Sequence, residues 1–230
     1  RHPADPARPP AAVTVSSDTT SAETPPTETV PPRLPRGRHG LSRHEVAASQ
    51  RDRILWALAE TMAHKGYVAT TVADVLKAAG VSRETFYQQF SSKQDAFMAA
   101  FDAAAARVLA QTLERSDPAD GAAAGPLERF DRALGAYLDG LAAEPAFART
   151  FLVEVYAAGP EALARRARLQ GRVVDLLVDE LGFGDERRVA CDLVVAGTAA
   201  LVTPLLVQGD LDGVRALRGP LVEVVSRLLA

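Results

Sequence analysis

Several residue types are scarce in this sequence. Its 230 residues include one cysteine, Cys191, and four histidines, at positions 2, 39, 44 and 64. A single thiol excludes a disulfide framework and any thiolate zinc cluster, and it suits a reducing cytosol. With every histidine confined to the first 64 residues, no constellation for acyl-transfer or metal chemistry can be assembled, so neither an enzyme nor a bound metal or cofactor is expected. No apolar run approaches the roughly 18 residues that a membrane span needs. Residues 1–10 lack the apolar centre of a secretory signal. A soluble, cytoplasmic protein is the expectation. Surplus positive charge is missing too. The chain carries 26 basic against 29 acidic residues, a net charge of −3, which taken alone argues against a nucleic-acid partner.

The average conceals a regional pattern. Residues 1–35 hold nine of the fifteen prolines, mixed with Ser, Thr, Ala and Glu. Almost no large apolar side chain is present to offset the entropy of ordering them, so this stretch is expected to be a disordered tail. Its net charge is −1, that of residues 36–101 is +3, and that of residues 102–230 is −5. All three lysines, Lys65, Lys77 and Lys93, fall in the basic middle section.

Beyond the tail the periodicity is helical throughout. Residues 43–65 carry Val46, Ile54, Leu55, Leu58 and Met62 in one apolar stripe, with Gly66 as a natural stop. Thr71 with Asp74 forms a capping-box pattern, Ser82 can cap another short helix, and Ser91 with Gln94, or Ser92 with Asp95, can cap a longer one. Residues 116–125 read as a loop. No alternating pattern of useful length is present, and the fold class expected is all-α.

The sharpest feature is TTVADVLKAAGVSRETFYQQF, residues 70–90. Two short helices flank a turn centred on Gly80, the residue best able to take the left-handed conformation such a turn requires. Val75, Ala79, Val81 and Phe86 fall where the two helices must pack. Arg83, Glu84, Thr85, Tyr87 and Gln88 are left on or near the outer side of the second. That mix suits a recognition helix: Arg can pair with guanine, Gln with adenine, and the Thr methyl can meet the thymine methyl.

On these residues the sequence resembles the TetR family of bacterial transcription regulators. The resemblance runs from about Arg36 to Phe97 and rests on the combined spacing of Gly66-Tyr67, Thr70-Thr71-Val72, Ala79-Gly80-Val81-Ser82, Thr85-Phe86-Tyr87, Phe90 and Lys93. It departs from the family pattern at Gln89, where His is usual, and at Leu76, where a small Ala is preferred. It implies a three-helix DNA-binding domain over residues 36–92, followed by a helical effector-binding and dimerisation domain over 93–230. The DNA-contacting residues expected are Arg43, Thr71, Ser82, Arg83, Thr85, Tyr87, Gln88 and Lys93. Thr71 and Ser82 stand at helix N-termini that attract phosphate. Lys93, a cation in the first turn of a helix, calls for an anion from outside. Arg83 suits a base edge or a phosphate. Arg36, Arg38, His39 and Arg43 form either a basic arm toward the duplex or a solvated linker.

In the larger domain, helices are expected from Leu127 to Ala142, from Pro145 to a stop at Gly159-Pro160, over 161–181, and as two final apolar helices over 185–207 and 211–229. Phe101, Phe130, Tyr137, Phe147, Phe151 and Tyr156 are candidate linings of an effector pocket, although aromatics at helical spacing are more often plain core. With no His or Lys in the domain, the pocket would take a largely apolar molecule. Leu193, Ala196, Leu201, Leu205, Leu221, Val225 and Leu228 are candidates for pairing with a second copy. The function expected is that of a homodimeric regulator, most simply a repressor released from a palindromic operator in double-stranded DNA by a small effector, and nucleoid-associated when bound. The alternatives are a ligand-independent or activating regulator and a helical protein–protein adaptor.

Overall fold

The computed structural model describes residues 43–115, 125–179 and 184–229. The expected tail, the residues Arg36, Arg38 and His39, and most of the 116–125 loop lie outside them. The described residues form ten α-helices and no strand: α1 Arg43–Ala69, α2 Val72–Ala79, α3 Arg83–Gln89, α4 Lys93–Arg115, α5 Pro126–Ala143, α6 Pro145–Leu152, α7 Pro160–Asp179, α8 Arg188–Gln208, α9 Leu211–Ala216 and α10 Arg218–Leu229. Single turns of 3-10 helix stand at Glu154–Tyr156 and Asp185–Arg187.

Helices α1, α2 and α3 pack together, and α4 leans on α1 at its start before joining α5 and α6. Ile54, Leu58, Met62, Phe86, Phe90, Phe97 and Phe101 are among the most deeply buried side chains, so one continuous core runs from the first helices into the larger bundle. Helix α1 also packs directly on α6.

Three expected boundaries shift, each for a local reason. Helix α1 runs past Lys65 to Ala69, but Gly66 breaks it with φ 78° and ψ 161°, a conformation that disfavours any side chain. The helix expected from Pro145 to Gly159-Pro160 stops at Leu152, and the tighter turn that follows brings the Glu154 carboxylate inside, 2.7 Å from the Tyr67 amide. The final helix expected over 211–229 is two, separated at Leu217. Pro220 has no N–H to offer the Ala216 carbonyl and its ring crowds that carbonyl, so the first helix ends and a second starts with the proline in its opening turn.

A fourth correction concerns membrane character. Among the described residues one stretch, Asp185–Gln208, is long and apolar enough to cross a membrane by length and composition, although the sequence had been expected to hold none. Small residues at Ala190, Ala196, Gly197, Ala199 and Ala200 hide its continuity when only large apolar residues are counted.

Candidate nucleic-acid interface and effector cavity

The helix-turn-helix is built from its caps outward. Thr71 begins α2 as half of a reciprocal box: its hydroxyl accepts from the Asp74 amide at 3.2 Å, and the Asp74 carboxylate accepts from the Thr71 amide at 2.8 Å. Lys65 sits 2.6 Å from the same carboxylate. Its hydrogen bond, with those of Thr71, holds Asp74 well below the usual carboxylate range. Gly80 closes α2 in the left-handed conformation, φ 62° and ψ 41°. Ser82 then opens α3 by accepting from the Thr85 amide at 3.0 Å. At the start of α4 the Ser92 hydroxyl accepts from the Asp95 amide at 3.0 Å, while the Asp95 carboxylate reaches back to the Ser91 amide at 2.8 Å. Those bonds from Ser91 lower the Asp95 pKa.

Helix α3 is anchored by Phe86 and Phe90, whose rings lie 5.6 Å apart in the core. The anchoring turns Arg83, Glu84, Tyr87 and Gln88 to the outside, with Ser82 exposed at the entrance and Thr85 half-buried beside it. Arg83 lies over the Tyr87 ring at 5.9 Å, and Gln88 donates to Glu84 at 3.3 Å. These contacts are exposed and weak enough for a duplex to replace. Arg43 is the first residue of α1, but its side chain lies outside the described part.

Lys93 is placed differently from its expectation. Its ammonium donates to the carbonyls of Tyr67 and Thr70, both at 2.8 Å, and lies 4.1 Å over the Tyr67 ring. Burial lowers its pKa. The anionic partner expected from outside is supplied by the carbonyl end of α1, so we class Lys93 as a support of the interface rather than a surface contact. Two further supports escaped the sequence reading. Arg51 donates to the Gln89 carbonyl at 3.4 Å and lies 4.5 Å over the Phe90 ring. Arg53 donates to the carbonyls of Ala79 and Gly80. Each of these three cations meets the carbonyl end of a different helix, where the helix dipole favours positive charge by about 0.3–1 kcal/mol. Their position in a basic section was visible in the sequence; their inward direction was not.

Behind this domain, a cavity of about 520 Å³ opens between α4, α5, α6, α7 and α8. Phe130, Tyr137 and Phe151 line it, with Val108, Leu109, Leu169, Val194 and Val195. The expectation is corrected at Phe101, Phe147 and Tyr156. Phe101 is core and meets Phe151 edge-on at 6.4 Å, Phe147 is buried beneath Arg107, and Tyr156 is exposed. Burial pushes the Tyr137 phenol up to about 12, against a smaller opposing influence of the Arg166 charge. Among the described residues no group of His, Cys, Asp and Glu is arranged to hold a metal ion.

A polar chain links the two regions. The Glu154 carboxylate that accepts from Tyr67 also faces Arg149 at 3.9 Å, and Arg149 donates to the Leu206 carbonyl near the end of α8 at 3.2 Å. In parallel, the Tyr67 hydroxyl donates to Gln94 at 2.6 Å and Gln94 donates to the Ala158 carbonyl at 2.8 Å. Helix α6 stands at both places, since Phe151 and Leu152 line the cavity three and two residues before Glu154.

On α8 and α10, Leu193, Leu201 and Leu228 are exposed at 69%, 48% and 46%, and Ala196 is exposed beside them. Val189, Val207 and Val224 extend this apolar face. Leu205 is only partly exposed, while Leu221 and Val225 are buried in the subunit's own core, which corrects their assignment as pairing residues.

Residues 54–100 match the family model of bacterial regulatory proteins of the tetR family. No curated protein matches the chain. Among solved structures, the fatty acid degradation regulator FadR from Bacillus halodurans superposes with a TM-score of 0.66 at 21% identity, covering 76% of this chain and 93% of that one. FadR from Bacillus subtilis, solved in complex with stearoyl-CoA, gives 0.62 at 20% identity over 75% and 95%. NalD of Pseudomonas aeruginosa, the secondary repressor of the MexAB-OprM multidrug efflux pump, gives 0.57 at 20% identity over 79% and 96%. The shared fold thus extends across both regions described above.

Proposed function

We propose that the chain is a member of the tetR family of bacterial regulatory proteins, whose family model its residues 54–100 match, and that it is a homodimeric, sequence-specific regulator of transcription and not an enzyme. In this reading it represses from a palindromic operator and is released by a small effector with a largely apolar body. The observation that carries the reading is the recognition surface: α3 is fixed from below by Phe86 and Phe90, braced at its end by Arg51, and presents Arg83, Tyr87 and Gln88 outward. Arg83 and Gln88 would read base edges in the major groove. Thr71, Ser82 and Tyr87 would position the phosphates, with Thr85 at the helix entrance. The domain boundary near residue 92 belongs to the same proposal.

The exposed apolar face of α8 and α10 supports pairing with a second copy. Only 28% of the apolar stretch in Asp185–Gln208 is buried within the subunit, and water is a poor solvent for the remainder. Two-fold pairing also supplies what a palindrome requires, two recognition helices one helical turn of DNA apart, about 34–36 Å. The cavity supports the effector: its volume falls within the range of about 300–1,000 Å³ usual for small-molecule sites. The FadR bound to stearoyl-CoA offers a precedent on the same fold for an acyl ligand. An effector that fits one spacing of the two DNA-binding domains better than another shifts the population away from the DNA-bound form.

Selection of bound genomic fragments followed by footprinting tests the proposal. A protected palindrome with half-sites about one helical turn apart is expected. Failure to enrich any palindrome overturns it.

A further inference from the structure

The effector cavity contains a guanidinium that no carboxylate among the described residues pairs with. Arg166, on α7, lines the cavity and is 91% buried, its own exposure being 9%. Among the described residues it makes no hydrogen bond and no ion pair, and its Nε is buried with no partner. Its one neighbour of note is the Tyr156 ring, whose centroid lies 5.1 Å from the guanidinium carbon. A cation removed from water without a partner is among the most unfavourable arrangements a fold can keep.

Two further features give the arrangement a direction. The Tyr137 phenol, on the same cavity wall, makes no hydrogen bond among the described residues and keeps its proton at any physiological pH. It therefore offers a second donor. The carboxylates of the lining, Asp175 and Asp179, sit nine and thirteen residues farther along α7, roughly 13 and 20 Å from Arg166 by helix rise. Asp175 is already paired with Arg188 at 2.5 Å. Apolar side chains, among them Phe130, Phe151, Val108 and Val194, form much of the rest of the wall.

We infer that the effector is an amphipathic anion, its negatively charged head held by Arg166 and Tyr137 and its apolar tail lying along the cavity. This rests on the reading of the cavity as an effector site and revises the expected ligand from largely apolar to apolar with one charged end. A guanidinium suits a carboxylate or a phosphate head equally, since either accepts two parallel hydrogen bonds.

Isothermal titration with four probes of one tail length, dodecanoate, dodecyl phosphate, dodecanol and dodecylamine, tests the inference on the full chain below micellar concentrations. Wild-type protein is expected to bind one or both anions at least tenfold more tightly than dodecanol, and the amine least. Preference for dodecanoate identifies a carboxylate head, and preference for dodecyl phosphate a phosphate head. Arg166→Met is expected to lose that preference while binding dodecanol as before, and Arg166→Lys to keep part of it. The melting temperature of free Arg166→Met should be no lower than that of wild type, which separates a lost ligand contact from a lost fold. If dodecanol binds wild type as tightly as the anions, or if Arg166→Met retains anion affinity, the inference fails and the cavity still stands as an effector site. If none of the four binds, both readings fail.

Discussion

Phe86 and Arg83 lie three residues apart on α3 and have opposite tasks. Phe86 is 1% exposed and ties α3 to the core, whereas Arg83 is exposed and lies over the Tyr87 ring. Phe86→Ala is expected to destabilise the protein by about 3–5 kcal/mol, because the cavity it leaves adds to the lost transfer energy. Denaturant titration measures this. Arg83→Ala should leave the denaturation midpoint unchanged, weaken operator binding, and reduce the salt slope of log K by about one if the side chain meets a phosphate. An unchanged slope with relaxed sequence preference would assign Arg83 to a base edge. Cys191 is a third residue with a definite expectation. Burial, with the nearby Asp192 charge, pushes its thiol up, so it should resist thiol reagents at neutral pH until the protein is unfolded.

Single elements are governed by their ends. Asp74 caps α2 and Asp95 caps the start of α4, and both have folded pKa values below the ordinary 3.8. A depressed carboxylate stabilises fully above its unfolded value, and that stabilisation is lost as the pH falls toward the folded value. Both caps should therefore weaken below about pH 4. Asp74→Asn should lower the melting temperature at neutral pH and flatten its decline between about pH 4 and pH 2.5. The break in α1 sets a second expectation. Gly66 has φ 78° and ψ 161°, a region essentially restricted to glycine, and Gly66→Ala should cost about 1–3 kcal/mol through backbone strain alone, since an added Cβ would lie 3.6 Å from Glu154, an ordinary contact. Glu154→Gln keeps an acceptor for the Tyr67 amide and loses the charge facing Arg149. If this chain couples the cavity to the DNA-binding domain, the ratio of operator affinities without and with effector should shrink by about threefold or more. Fluorescence anisotropy on labelled operator, with and without effector, measures it.

For the whole molecule, the proposed pairing of two copies rests on the apolar face of α8 and α10. Leu193→Glu with Leu201→Glu places charges on exposed positions, so the subunit should fold as before but run as a monomer in light-scattering chromatography. Operator affinity should fall with it, because each half-site would then be bound without help from the other. A double variant that stays dimeric would move the interface elsewhere. The charge distribution also acts at this scale. The sections of net charge +3 and −5 are consistent with one end of the molecule meeting the duplex while the bundle stays clear of it.

What the sequence determined by itself was local. Helix periodicity, the Thr71 and Ser82 caps, the left-handed turn at Gly80 and the inward Phe86 and Phe90 depend on near neighbours along the chain, so spacing alone discloses them. Tertiary structure decided the destination of long side chains. Arg51, Arg53 and Lys93 sit in the basic section that pointed to DNA, yet each reaches back to a helix end brought beside it by folding. Arg166 stands in a run of surface-like arginines, and only the packing of α7 turns it into an apolar cavity. A flexible charged side chain several ångströms long can serve solvent, a duplex, a helix end or a ligand. Nothing in its immediate sequence selects among them, because the partner arrives from a distant part of the chain.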